Sequence, residues 1–258
     1  MTFDMSRKSD IAIAIISPLL LLAVWQLAVM VGILDYRFVP APLQIVDTFV
    51  ALISSGELFK HILISLGRVA AGFALGVGLG VVVGLTMGIF RPVRAALTPV
   101  IAALFPIPKL AILPIIILAF GIGEVSKIIV IAIGVFFISV INTVSGVINI
   151  EKIYLDVADN LGVKGRSFYR HVAIPGALPA IVTGGKVSMG VALLLIVAAE
   201  FVGANSGIGY LIWSSWQNFS IDRMFVGLVT LAAIGYIFTM ALEFLEGRIL
   251  PWKPATGR

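Results

Sequence analysis

The stretch from Asp156 to Pro179, DVADNLGVKGRSFYRHVAIPGALP, decides how this chain is read. It is a polar, basic island between long apolar runs. A segment this charged is not stable in hydrocarbon, so it forms a loop at a membrane surface. Ile153, Tyr154, Val157, Ala158 and Leu161 recur at helical spacing and make one apolar stripe. Gly162 follows directly, at the place where a helix ends in a left-handed cap. Phe168, Tyr169 and Val172 begin a second short apolar face, and Pro175 and Pro179 open the next apolar run, since proline suits a helix's first turn. The pattern predicts a helix-turn-helix lying on the membrane surface, held by spans on both sides. An exposed amphipathic helix of this kind docks into a partner's groove.

The rest of the chain agrees with a membrane setting. Of 258 residues, 60% are hydrophobic and 12% charged, with a mean hydropathy of +1.13. A helical span needs about 20 apolar residues. Six runs qualify, roughly 11–33, 62–90, 95–121, 125–149, 176–203 and 224–247. They are continuous and not alternating, which excludes a β-barrel. The fold class expected is therefore all-α and polytopic. The first run is too long for the h-region of a signal peptide and lacks a small-residue cleavage site after it, so it reads as a retained span. The expected organisation is residues 1–61 as a tail, first span and outer amphipathic segment, residues 62–250 as the transmembrane domain carrying the loop 150–175, and residues 251–258 as a tail. Cysteine is absent, so disulfides and thiolate chemistry are excluded.

Lysine and arginine set the orientation. With the N-terminus inside, the inner segments hold Arg7, Lys8, Arg91, Arg94, Lys152, Lys164, Arg166, Arg170, Arg248, Lys253 and Arg258, and the outer ones only Arg37, Lys60, Lys127 and Arg223. This bias places residues 150–175 and both termini in the cytoplasm. The net charge of +5 is then a topology signal, and no clustered basic surface with base-reading residues points to nucleic acid.

Between these spans, Asp35, Arg37, Pro40 and Pro42 read as a turn, and Leu43 to Phe59 as a short amphipathic helix. Gly72, Gly76, Gly80, Gly84 and Gly88 recur every fourth residue, which suits close helix packing within the subunit. Pro106, Pro108 and Pro114 break the third run, with Lys109 inside it. Irregular backbone at membrane depth lines a cavity or is buried in protein, so Pro106, Pro108 and Lys109 are candidate pathway residues; a simple kink with Lys109 snorkelling is the alternative. Lys186 and Glu200 are ionisable within a span and are candidates for the same reason, against a structural reading in which each pairs with a neighbour. Arg68 is expected to anchor at the outer interface, and Trp213 and Trp216 in the outer loop 203–223 to sit at the membrane boundary.

The cytoplasmic stretch resembles a signature of the permease subunits of bacterial ATP-binding cassette importers: E-A-A, three residues, G, nine residues, I-x-L-P. Asp156, Val157 and Ala158 stand at the E-A-A positions, Gly162 at the glycine, and Val172, Ala173, Ile174 and Pro175 at I-x-L-P. FPIPKLAILPIIILAFGIGEVSKI, with Pro108–Lys109 where a double proline is common, is similar to the nitrate, aliphatic sulfonate and taurine branch. The resemblance implies a type I importer permease whose loop binds the ATPase. It further implies two permease copies, two ATPase subunits that hold ATP and Mg, and a periplasmic or lipid-anchored solute-binding protein. Surrounding lipid is the remaining partner. The chain itself would bind no cofactor or metal and catalyse nothing. The solute would be small and anionic, such as a sulfonate, taurine, nitrate or bicarbonate.

Two other classes fit less well. An ion-coupled secondary transporter would show more intramembrane carboxylates. A membrane-embedded enzyme would need a catalytic constellation at one depth, whereas His61 and His171 are predicted on opposite faces. TGGKVSMG around Lys186 is not a phosphate loop, since Val187 follows the lysine. Single cysteines at Ser6, Ser167 and Ser220 check the topology with an impermeant reagent in intact cells. Ser220→Cys is expected to be labelled and Ser6→Cys and Ser167→Cys protected; labelling at 167 would reverse the orientation.

Overall fold

The computed structural model describes residues 7–251; Ser6 and the expected tail beyond Pro251 lie outside the described residues. The chain runs through α1 (Arg7–Met30), α2 (Pro42–Ser54), α3 (Glu57–Ile89) and α4 (Arg91–Leu104). A 3-10 turn (Lys109–Ile112) leads into α5 (Leu113–Phe120), followed by α6 (Glu124–Ile148), α7 (Lys152–Asn160) and α8 (Arg166–Phe168). A π-turn (Tyr169–Ala173) joins α8 to α9 (Ile174–Gly203), and α10 (Ile208–Gln217) and α11 (Ile221–Ile249) follow. No strand occurs among the described residues.

Among the described residues, four helices are long and apolar enough to cross a membrane: α3, α6, the continuous Arg166–Gly203 and α11. The third expected run is not one span. It is α4 and the segment Lys109–Phe120, bent at 87°. Proline disfavours α backbone in the residue before it, and Pro106 and Pro108 apply that restriction twice within three residues. Among the described residues, the first expected run contributes only the shorter apolar helix Ile16–Met30. Among the described residues the count of qualifying spans is therefore four, or five if the bent pair counts as one.

The amphipathic segment also differs from expectation. Gly56 adopts φ 75° and stops the helix, so α2 ends at Ser54 and Phe59 belongs to α3. The turn before α2 is held by Arg37, which donates from Nε to Asp35 Oδ1 at 3.0 Å. That guanidinium holds the exposed Asp35 carboxyl below the usual carboxylate range, chiefly through its side-chain hydrogen bonds.

The centre of the structure is α6, packed on α3 along one face and on α9 along another. The glycine ridge of α3 makes the first contact. A Cβ at Gly72 would lie 2.6 Å from Ile131 Cβ, at Gly80 2.5 Å from Ser139 Cβ, at Gly84 2.5 Å from Thr143 Cβ and at Gly88 2.5 Å from Val147 Cβ. A real Cβ does not fit at these distances, so the missing side chains let the two backbones touch. On the other face, Gly146 meets Ala177 and Ala180, and Gly184 meets Asn142. Val69, Val130, Ile131, Val135, Leu195, Ile196 and Ala199 fill the core between the three helices.

The seam makes a sharp contrast within one helix. Gly80→Val drives a branched side chain into Ser139 and the Phe136 carbonyl, whereas a Cβ at Gly78 meets nothing within 4 Å. Overpacking of this kind costs about 1–3 kcal/mol or more. Thermal unfolding of the detergent-solubilised protein is expected to show a clear loss of Tm for Gly80→Val and none for Gly78→Val.

Candidate functional site

The loop between α6 and α9 has a defined build. α7 ends in a double-bonded cap: the Gly162 N–H donates to Asp159 O at 3.0 Å and the Val163 N–H to Ala158 O at 2.9 Å. This is the Schellman pattern, which needs a left-handed residue at the turn, and Gly162 supplies it with φ 66°. A second left-handed glycine, Gly165 with φ 58°, turns the chain into α8.

The second half is not the separate surface helix expected from the sequence. α8, the π-turn and α9 form one continuous helix of 38 residues, so Pro175 and Pro179 lie inside it. Pro175 has no N–H for the carbonyl four residues back, at His171, and its ring crowds that carbonyl. The helix accommodates it by widening: the Ile174 N–H reaches back five residues to Tyr169 O. The Tyr169 ring lies 6.2 Å from that of Phe90 at the end of α3, which ties the loop to the membrane helices.

The expected apolar stripe is not buried as a unit. Of its members only Ala158 is buried, while Ile153, Tyr154, Val157 and Leu161 are 50–74% exposed. α7 therefore presents an apolar face that this chain does not cover. Between α7 and the start of α9 lies a cleft of about 660 Å³. Val157, Ala158, Val172 and Pro175 line it. Asp156 is exposed and Ile174 is 40% exposed; neither lines the cleft.

The candidate pathway residues are scattered. Pro106 and Pro108 lie in the link between α4 and the 3-10 turn. Lys109 Nζ donates to the carbonyls of Leu104, Phe105 and Ile107 at 2.9, 2.8 and 2.9 Å, and sits 4.5 Å from the Phe137 ring centroid. It closes the carbonyl end of α4. Lys186 on α9 pairs with Glu246 on α11. Trp213, stacked at 5.2 Å on Phe201, joins the expected outer loop to α9 through α10.

Glu200 is the centre of a network that the sequence reading missed. Its carboxylate is fully buried and accepts from Arg68 Nη1 at 2.7 Å, Ser65 Oγ at 2.8 Å and the Gly209 N–H at 2.7 Å. Arg68, expected at the outer interface, is instead buried. Its Nε and Nη2 hold Glu124 at 2.6 and 2.5 Å, and Nη1 also donates to Ser206 O at 2.7 Å. Lys127 Nζ bridges Gly123 O and Gly203 O at 3.0 and 2.9 Å. Two cations and two carboxylates thus clamp α3, α6, α9 and the turn into α10 at the end opposite α7. Pairing explains the burial of Arg68: an unpaired charge there would cost several kcal/mol. The available signal was depth, since Arg68, Lys127 and Glu200 all fall near the same predicted end of their spans.

Residues 76–251 match the family described as binding-protein-dependent transport system inner membrane component. The chain belongs to that family. The permease is 38% identical over 92% of its length to the putative aliphatic sulfonates transport permease protein SsuC of Bacillus subtilis (strain 168), covering 86% of that protein. It is 30% identical over 97% of its length to the taurine transport system permease protein TauC of Escherichia coli (strain K12), covering 92% of it. Its fold matches a chain from the inward-facing MetNI methionine ABC transporter, with a TM-score of 0.62, 18% identity, 79% of this chain and 98% of that one covered. The permease is thus the all-helical membrane component of an ATP-binding cassette importer.

The two membrane ion pairs differ in what their loss exposes. Arg68→Met leaves Glu200 buried beside an apolar group, whereas Lys186 and Glu246 are 28% and 19% exposed. Removing one partner of a buried pair costs about 3–5 kcal/mol. Arg68→Met is expected to abolish assembly or lower Tm strongly, and Lys186→Met to lower yield less. Solubilised yield and Tm measured side by side check the order.

Proposed function

We propose that this permease imports a small organic anion, of the sulfonate class, by ATP-driven alternating access. In this reading two copies form the pathway in a bacterial inner membrane, with both termini inside. Two ATPase subunits, which hold ATP and Mg, dock at residues 150–175, and a periplasmic or lipid-anchored binding protein delivers the solute outside. Closure of the ATPases on ATP moves the two loops together and opens the pathway outward; hydrolysis resets it. The names of the sulfonate and taurine relatives support the solute class.

The observation that carries the docking assignment is the uncovered face of α7. Exposed apolar side chains gathered on one short polar-ended helix mark a contact surface. In this reading the Gly162 turn fixes the angle between α7 and the rigid α8–α9 helix, so a force on α7 reaches the membrane core. The Phe90–Tyr169 contact supplies a second route, into α3.

Gly162→Val tests it. Nothing lies within 4 Å of a Cβ at this position, so the cost is backbone strain of about 1–2 kcal/mol, confined to the turn. Membrane insertion and permease pairing are expected to persist, while ATPase co-purification and solute uptake in proteoliposomes fall sharply. Asp156→Ala is expected to give a milder loss of the same kind. Wild-type ATPase binding and uptake in Gly162→Val would remove α7 as the docking element.

A further inference from the structure

The end of the bundle that carries α10 contains a cavity of about 290 Å³, enclosed by the first turns of α3 and α11 and by α10 itself. Ligand pockets run from about 300 to 1,000 Å³, so this one suits a small solute. Glu57 and His61 line it from α3, Tyr210 and Ser215 from α10, Asn218 from the cap that follows α10, and Arg223 from α11. It is separate from the Arg68–Glu200 clamp, whose groups are all engaged with one another.

The chemistry of the lining is an excess of donors. His61 Nδ1 accepts the Gly207 N–H at 3.0 Å, which leaves the proton of a neutral ring on Nε2. That nitrogen is 3.9 Å from Glu57, too far for a hydrogen bond. The Tyr210 ring lies 5.9 Å from the His61 ring and brings a hydroxyl to the same wall. Ser215, 3% exposed, brings its hydroxyl to the same cavity from α10. A hydroxyl at that wall can donate to a ligand oxygen. Arg223 donates to Glu57 through Nη2 alone, so its remaining N–H groups are available. Glu57, the one carboxylate of the lining, is already covered by Arg223. Donors therefore outnumber free acceptors, and one cation sits among them.

We propose that this cavity is a binding site for the oxyanion of a small organic solute, a sulfonate, held by Arg223, His61 and Ser215. Three sulfonate oxygens match three donors converging from three helices, and charge-assisted hydrogen bonds to a guanidinium are the strong ones. The site rests on the sulfonate-import reading. In the proposed orientation it faces outward, where solute leaves the binding protein. It would hold the solute before entry into the pathway. α10 and the start of α11 supply most of the wall, so occupancy draws them towards α3.

The test uses the assembled transporter, this chain with its ATPase, in phosphatidylcholine nanodiscs without the binding protein. Radiolabelled methanesulfonate is the probe, with inorganic phosphate and nanodiscs containing phosphatidylglycerol as competing sources of oxyanion. Saturable methanesulfonate binding is expected, weakened about tenfold or more by Arg223→Gln, as for loss of a charged hydrogen bond. Asn218 is exposed at the rim, so Asn218→Leu blocks the mouth without disturbing packing and is expected to weaken binding likewise. Equal binding by wild type and Asn218→Leu overturns the site. So does preference for phosphate, or complete displacement by phosphatidylglycerol. Sulfonate uptake by the complete system is measured in parallel. Uptake without binding here sinks the site alone; absence of sulfonate uptake sinks the functional reading.

Discussion

The backbone contact between α3 and α6 is the constraint on which the rest of the structure depends. In lipid, apolar side chains gain little by meeting one another, so close van der Waals approach has to hold helices together. Five glycines at every fourth position strip one face of α3 down to backbone, and residues from Ile131 to Val147 occupy the space left. With that distance fixed, α6 can offer its opposite face to α9 through Gly146 and Gly184. The three helices then form one rigid block, to which α11, α10 and α2 attach.

A block of this kind transmits force between its ends. At one end the Arg68–Glu124–Glu200 clamp joins all three helices and the turn into α10. At the other, Phe90 meets Tyr169 and the long α9 helix runs directly out into α8 and the Gly162 turn. The loop after α7 is thus connected both to α9 and, through Tyr169, to α3. The single softened place is the π-turn Tyr169–Ala173, where Pro175 has already weakened the helical hydrogen bonding. Charges follow the same economy: Lys109, Lys186, Arg68 and Glu200 each have partners within the chain, so none contributes an isolated charge at membrane depth.

Much of this was legible in the sequence because it depends on composition and local spacing. Hydropathy gave the all-helical membrane class, since no other backbone arrangement of continuous apolar runs is satisfied in hydrocarbon. The glycine period gave the packed face of α3. Gly162 gave the left-handed end of α7, because only the residue's own backbone freedom is involved. The family followed from the same local pattern of residues around that turn.

Tertiary structure decided what depends on partners distant in sequence. Arg68 read as an interfacial anchor because its partner Glu200 lies 132 positions away, and spacing along the chain carries no information about which helices become neighbours. Two prolines signalled a broken third run, but the 87° bend and the return of Lys109 to the carbonyls of Leu104, Phe105 and Ile107 appear only in the folded chain. The sequence predicted two surface helices around Gly162, and only packing made the second a continuation of α9, where the membrane helix extends its own hydrogen bonding past Pro175. The donor-lined cavity was equally hidden, since its walls come from α3, α10 and α11. Local backbone preference and hydrophobic periodicity are written in the chain; the pairing of charges and the closing of cavities arise only when helices far apart in sequence meet.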